Sequence, residues 1–132
     1  MNDDVTRQAI KAHFEAIGRD PARAAEIYAD DAVLEFPAGR ERIPGKAGIV
    51  ASRQAYPGGP ASFEVHRVLG AGDLWVCEMT LRFDGDHPHS VAAILELRDG
   101  KVVREAMYVA DPFDPPAHRA QWSERMDPRA GN

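Results

Sequence analysis

With 132 residues, 44% of them hydrophobic and 28% charged, the chain has room for one compact domain with a core and a cavity, and too little for two. A net charge of −5, with no Lys/Arg stripe interleaved with aromatics, argues against nucleic acid and anionic membranes as partners. The longest apolar run, around Val91–Leu95, is far below the ~20 residues that cross a bilayer, and the first turns are polar without a signal-peptide core, so the cytoplasm is the expected compartment.

Val5, Ala9, Ile10, His13, Phe14 and Ile17 recur at helical spacing and predict a first helix that Gly18 ends. Asp20-Pro21 reads as an N-cap followed by proline at the first helical position, opening a second helix through about Tyr28. Ala32–Phe36 reads as a short strand closed by Pro37-Ala38-Gly39. A polar loop follows, and then a third helix over Gly45–Tyr56, ended by Pro57-Gly58-Gly59-Pro60. Four strands come next: Ser62–Leu69, Leu74–Phe83, about His89–Arg98, and Lys101–Ala110. The turns between them are Gly70-Ala71-Gly72-Asp73, Asp84-Gly85-Asp86 and Asp99-Gly100, the last a strong hairpin signal.

Connections this short force antiparallel neighbours. The expected fold is therefore α+β, a single domain over 1–132 with N-terminal helices packed on a curved antiparallel sheet. Val91-Ala92-Ala93-Ile94-Leu95 is apolar at both parities, so both of its faces should be covered. Helices cover one; a second copy of the chain is the simplest cover for the other, which predicts a homodimer through the convex sheet face. The tail from Asp111 to Pro116 is irregular, a short polar helix over Ala117–Met126 is anchored by Trp122, and the segment from Asp127 frays.

Several motifs fail on their chemistry. Gly39–Lys46 superficially suggests a phosphate loop, but its spacing is wrong by one residue and Ala47 stands where a magnesium-binding hydroxyl belongs. Asp30-Asp31 reads as a solvated junction. His87-Pro88-His89, near Asp84 and Asp86, lacks a third ligand nearby in sequence, so no metal is expected. Ser52, Ser62 and Ser90 have no nucleophile-elbow context. Cys77, the single cysteine, lies in an apolar strand and reads as a core residue.

One residue breaks the local pattern. On the last strand, Val103, Glu105, Met107 and Val109 share a face, so if that face meets the helices Glu105 is a carboxylate among apolar groups. Desolvation would make it a candidate general acid or base. Alternatively it pairs with an arginine in a polar network, and Arg53 on the third helix is the preferred partner. His66 is a candidate proton shuttle or a solvent-facing strand histidine. Tyr28 reads as packed with its hydroxyl bonded.

The segments Ile27-Tyr28-Ala29-Asp30-Asp31-Ala32-Val33-Leu34-Glu35-Phe36-Pro37, Gly45-Lys46-Ala47-Gly48-Ile49 and Arg98-Asp99-Gly100-Lys101-Val102 resemble the SnoaL-like group of the nuclear-transport-factor-2-like superfamily. The resemblance covers about residues 5–113, and the tail Tyr108–Trp122 looks like a bacterial subgroup described only as SnoaL-like. It implies a cone-shaped half-barrel with a pocket between helices and concave sheet, and common homodimers. Mapped onto the related ketosteroid isomerases, the base aspartate falls on Phe36, the first oxyanion donor on Phe14 and the second near Val91. Only a supporting tyrosine is matched, by Tyr28, and Arg53 falls where another tyrosine points inward. The isomerase mechanism is therefore not expected. The Asp–Arg–Asp set of the related epoxide hydrolases is not recognisable. The polyketide cyclases' inward acid and histidine would correspond to Glu105 and His66.

The expected site is thus Glu105, Arg53 and His66 in an apolar cavity lined by Phe14, Ile17, Tyr28, Phe36, Trp75, Met79, Leu81, Met107 and Val109. No cofactor is expected. Three functions fit: acid–base isomerisation, cyclisation or dehydration of a small hydrophobic carbonyl compound, non-catalytic binding of a small apolar ligand, or a dimer module whose pocket is vestigial.

Overall fold

The computed structural model describes residues 2–57, 59, 61–83 and 87–126. Helix α1 spans Asp3–Ala16, and Asn2 caps it by accepting from the Val5 amide at 2.8 Å, with Asp3 and Asp4 in the positive first turn. Its buried stripe is Ile10, His13 and Phe14, with Ile17 following. Helix α2 is shorter than its start signals suggest, only Pro21–Ala25, with the Asp20 side chain accepting from the Arg23 amide at 3.2 Å. The chain turns at Glu26 and enters strand β1 at Tyr28, so β1 runs Tyr28–Phe36 and Tyr28 belongs to the sheet. A single 3₁₀ turn, Pro37–Gly39, leads to β2, Glu41–Pro44, in the segment expected to be a polar loop. Helix α3 covers Lys46–Gln54.

Strands β3 (Ser62–Ala71), β4 (Leu74–Arg82), β5 (His89–Arg98) and β6 (Lys101–Ala110) follow as a meander. Asp99 and Gly100 have φ of 52° and 78°, the two left-handed positions that a tight hairpin requires. The Asp84-Gly85-Asp86 turn and the segment from Asp127 onward lie outside the described residues. The strand order is β2-β1-β6-β5-β4-β3. Every neighbouring pair is antiparallel except β1 with β6, which is parallel. Short turns dictate the antiparallel pairs. They say nothing about β1 and β6, which the helices and the whole meander separate in sequence.

Register shifts occur at Val65/Arg67, at Glu96/Leu97 and between Tyr28 and Val33, and irregularities of this kind add twist and curvature to a sheet. At Gly70, with φ of 153°, an added Cβ would sit 2.4 Å from the Leu74 carbonyl oxygen and 2.8 Å from the Trp75 Cα. This close approach lets the β3–β4 hairpin close over Trp75, whose indole is fully buried and donates to the Gly72 carbonyl at 2.8 Å.

Burial alternates strictly along β5, with Val91, Ala93 and Leu95 buried and Ala92 and Ile94 between them half-buried. The outer face adds Leu69, Leu74, Val76 and Tyr108, all substantially exposed. Trp122 is not an anchor: it sits in a 3₁₀ segment, Ala117–Trp122, and is 77% exposed. The irregular tail carries it away from the sheet, so an apolar residue finds no surface to pack on.

Candidate functional site

Four polar side chains from four elements meet in the interior. Glu105, on the inner face of β6, is fully buried. Arg53 reaches it from the last turn of α3, its Nη2 donating to Glu105 Oε2 at 2.9 Å. Tyr28, at the start of β1, donates its hydroxyl to the other carboxylate oxygen at 2.7 Å. His13, from the apolar face of α1, lies 3.3 Å through its Nε2 from the Tyr28 oxygen. Its Nδ1 is 2.7 Å from the Ala24 carbonyl at the end of α2. A carbonyl only accepts, so Nδ1 carries the proton and the neutral ring presents a lone pair at Nε2. Tyr28 has one proton and gives it to the nearer carboxylate. That leaves the His13 lone pair unclaimed by a donor in this arrangement.

Electrostatics fix the protonation of these groups. Burial, opposed by Glu105 and assisted by Arg53, pulls His13 down to about 4, so it is a neutral imidazole at neutral pH. Burial likewise pushes Tyr28 well above the usual phenol range, with Arg53 opposing and Glu105 adding, and it stays a hydroxyl donor. For Arg53, burial pulls downward, but Tyr28, Glu105 and Tyr56 outweigh it and the group is held as a cation. Cys77 is pushed up to about 12 by burial and by Glu105, which makes it an inert thiol.

One donor of this network is left over. Arg53 is 7% exposed and its Nε–H is buried without a hydrogen-bond partner. Such an orphan costs about 1–3 kcal/mol. Beside it lies a cavity of about 50 Å³, walled by His13, Ile17, Ala24, Tyr28, Ile49 and Arg53 among others. By the same measure one water takes ~10–15 Å³, so the space holds a few waters or a small acyl group.

The cavity therefore opens between the three helices and the start of β1, not between helices and the concave sheet. The structure brings Arg53 and Glu105 together, and it places Ile17 and Tyr28 at the cavity wall. Phe14, Trp75, Met79, Leu81 and Met107 instead fill the core behind it. Phe36 packs half-buried on that core, and Val109 is 38% exposed near the end of β6. These large side chains close the sheet's concave face by packing against one another and the helices. Glu105 does not line the cavity either, since Arg53 and Tyr28 stand between.

His66 lies apart from the network, 2.7 Å from the Thr80 hydroxyl across the β3–β4 pair. The residue sequence reasoning passed over is His13, read only as one position of a helical stripe. A histidine within an otherwise apolar face was the signal that could have found it.

A family profile described as a SnoaL-like domain matches residues 9–105, a span that includes all four network residues. Among solved structures, the chain is similar to a nuclear-transport-factor-2-like protein of unknown function from Burkholderia xenovorans LB400. The identity is 39% over 96% of this chain and 99% of that one, with a TM-score of 0.83. It is also similar to a provisionally named ketosteroid isomerase from Kribbella flavida DSM 17836, 30% identical over 97% of this chain and 95% of that one, TM-score 0.84. A provisionally named polyketide cyclase from Sinorhizobium meliloti shares the fold at 23% identity, covering 76% of this chain and 93% of its own, TM-score 0.59. The comparison with curated proteins gave no match.

Proposed function

The chain belongs to the SnoaL-like family, of the fold shared with nuclear-transport-factor-2-like proteins, and from that premise we propose a cofactor-independent acid–base enzyme acting on a small hydrophobic carbonyl compound. The reaction would be of the isomerase, cyclase or dehydratase kind. The observation that carries the reading is an apolar cavity whose wall includes Arg53, a buried cation with one N–H, at Nε, left without a partner. A small shift of the Arg53 side chain that turned this N–H toward the cavity would let a substrate oxygen accept from it and remove the orphan's cost. It would also place developing negative charge against a fixed cation in a dry site.

The proton has its own route. His13 lines the cavity and its Nε2 lone pair is the acceptor for a substrate proton, while the Tyr28 hydroxyl stays committed to Glu105. Glu105, with each oxygen taken, acts as a positioning residue that aims Arg53 and Tyr28. That differs from direct proton transfer by Glu105, the role its burial first suggests. The cavity's size favours a small acyl-sized group over a steroid.

A second reading, a non-catalytic binder of the same class of molecule, is favoured by the saturation of Glu105. One experiment separates them. Small ketones, aldehydes and carboxylic acids are screened by thermal shift, and hits are followed for turnover by NMR. The enzyme reading expects hits that stabilise the wild type, fail on a cavity-filling Ile17→Trp variant, and are turned over by the wild type but not by His13→Gln. Binding without turnover decides for the binder, and no wild-type binding refutes both.

We propose a homodimer as well, formed through the outer sheet face in a cytoplasmic protein. The row Leu69, Val76 and Ile94 crosses three paired strands, with Tyr108 beside it, and gives a continuous apolar strip that water would otherwise cover. Among the described residues no helix is long and apolar enough to cross a membrane. Sedimentation should give a dimer at micromolar concentration and a monomer for Val76→Glu; a wild-type monomer refutes it.

A further inference from the structure

His87-Pro88-His89 lacks a third metal ligand within its own stretch of sequence, but the fold supplies one. Asp111, the first residue beyond β6, comes alongside because β5 and β6 pair with Ser90 opposite Ala110. One ligating atom from each of His87, His89 and Asp111 lies within 4.8 Å of the others. His89 Nδ1 is 2.6 Å from Asp111 Oδ1, and the two imidazole centroids are 5.0 Å apart. His89 is held from behind by Phe83, whose ring centroid is 5.6 Å away, while His87 and Asp111 face solvent.

We propose that His87, His89 and Asp111 form a binding site for a divalent late first-row cation of the Zn²⁺ type. Two imidazole nitrogens select against Mg²⁺ and Ca²⁺, which take oxygen ligands, and one carboxylate completes a mixed set suited to zinc. Ligands ~2.0 Å from a tetrahedral ion stand about 3.3 Å apart, so the His89–Asp111 contact must open slightly on binding. The Asp111 side chain is 77% exposed and has the freedom to do so. Three protein ligands leave a fourth position for water. The ion would tie the start of β5 to the end of β6 where the Pro-rich tail departs. It lies about 20 Å along β6 from Glu105 by strand rise, separate from the helix-walled cavity.

The test is isothermal titration of the metal-stripped full chain with Zn²⁺ alone, checked by sedimentation. The wild type should take up one equivalent per chain, and His87→Ala and Asp111→Asn should each weaken it by at least ~10-fold. Because both side chains are exposed, far-ultraviolet circular dichroism should show these variants folded. His118→Ala should bind as the wild type does, and Mg²⁺ should not bind. No uptake at 100-fold excess, uptake unchanged by both ligand variants, or half an equivalent bridging two chains would each overturn the site.

Discussion

Glu105→Gln is the most informative single change, because the side chain keeps its shape while it loses its charge and exchanges the oxygen facing Arg53 for an amide donor. Both Glu105 and Arg53 are buried, at 0% and 7% exposure, and the ion pair is 2.9 Å long. Removing one charge strands the other, a cost of about 3–5 kcal/mol for a buried pair. The amide can still accept from Tyr28, so that hydrogen bond should survive. For a domain of this size the loss corresponds to a fall in Tm of very roughly 10–20 °C. Urea unfolding followed by circular dichroism reads it directly as a shift in midpoint at constant slope. The double variant Arg53→Met/Glu105→Leu should recover most of the loss, since neither charge is then buried and the Tyr28 hydroxyl can turn to His13 Nε2, 3.3 Å away. Near-additive effects of Glu105→Gln and Arg53→Met in a double-mutant cycle, or a cost below about 1 kcal/mol for Glu105→Gln, would refute the reasoning.

Three further outcomes follow from the same structure. His13, held at about 4 in the fold against 6.5 when free, binds fewer protons folded than unfolded between those values, so stability should fall as pH drops from 6.5 toward 4. The full effect is about 3 kcal/mol, and it should appear as the difference between wild-type and His13→Gln urea midpoints at pH 7 and pH 4.5; parallel pH profiles would sink it. Gly70→Ala should cost at least about 1–3 kcal/mol, because its Cβ meets backbone rather than a movable side chain; a neutral result in the same assay would contradict it. Trp122→Ala should change stability by less than about 0.5 kcal/mol, as an exposed residue with nothing beneath it, and a larger loss would show that the tail packs.

The sheet was legible in the sequence because its signals are local. The Asp99-Gly100 turn fixes the β5–β6 register, and the four long strands end within one or two residues of where alternation and turn residues place them. What escaped was non-local. The α2 start signal is sound, but nothing in it measures length, and Tyr28 was carried into the helix instead of the strand. β2 carries charges and a proline, and it is a strand only because β1 offers it an edge. The Arg53–Glu105 pairing was legible because a carboxylate on an apolar strand face needs a partner, and the resemblance to the isomerases turns Arg53 inward. The role of His13 did not, because helical periodicity marks which side chains face inward and not which polar atoms they meet. The cavity's place depends on how large core residues fill the concave sheet, and no local pattern records that.

The four-residue network also joins α1, α3, β1 and β6, with Ala24 of α2 tied in through His13. These groups therefore hold the domain together whatever chemistry they take part in, and few substitutions at them should leave the fold intact. Under the proposed function, a change in what the cavity accepts would come from the apolar wall, at Ile17, Ile49 and Val50, where a side chain can change size without stranding a charge. A family built this way would keep its polar centre and change its ligands by reshaping the surrounding helices.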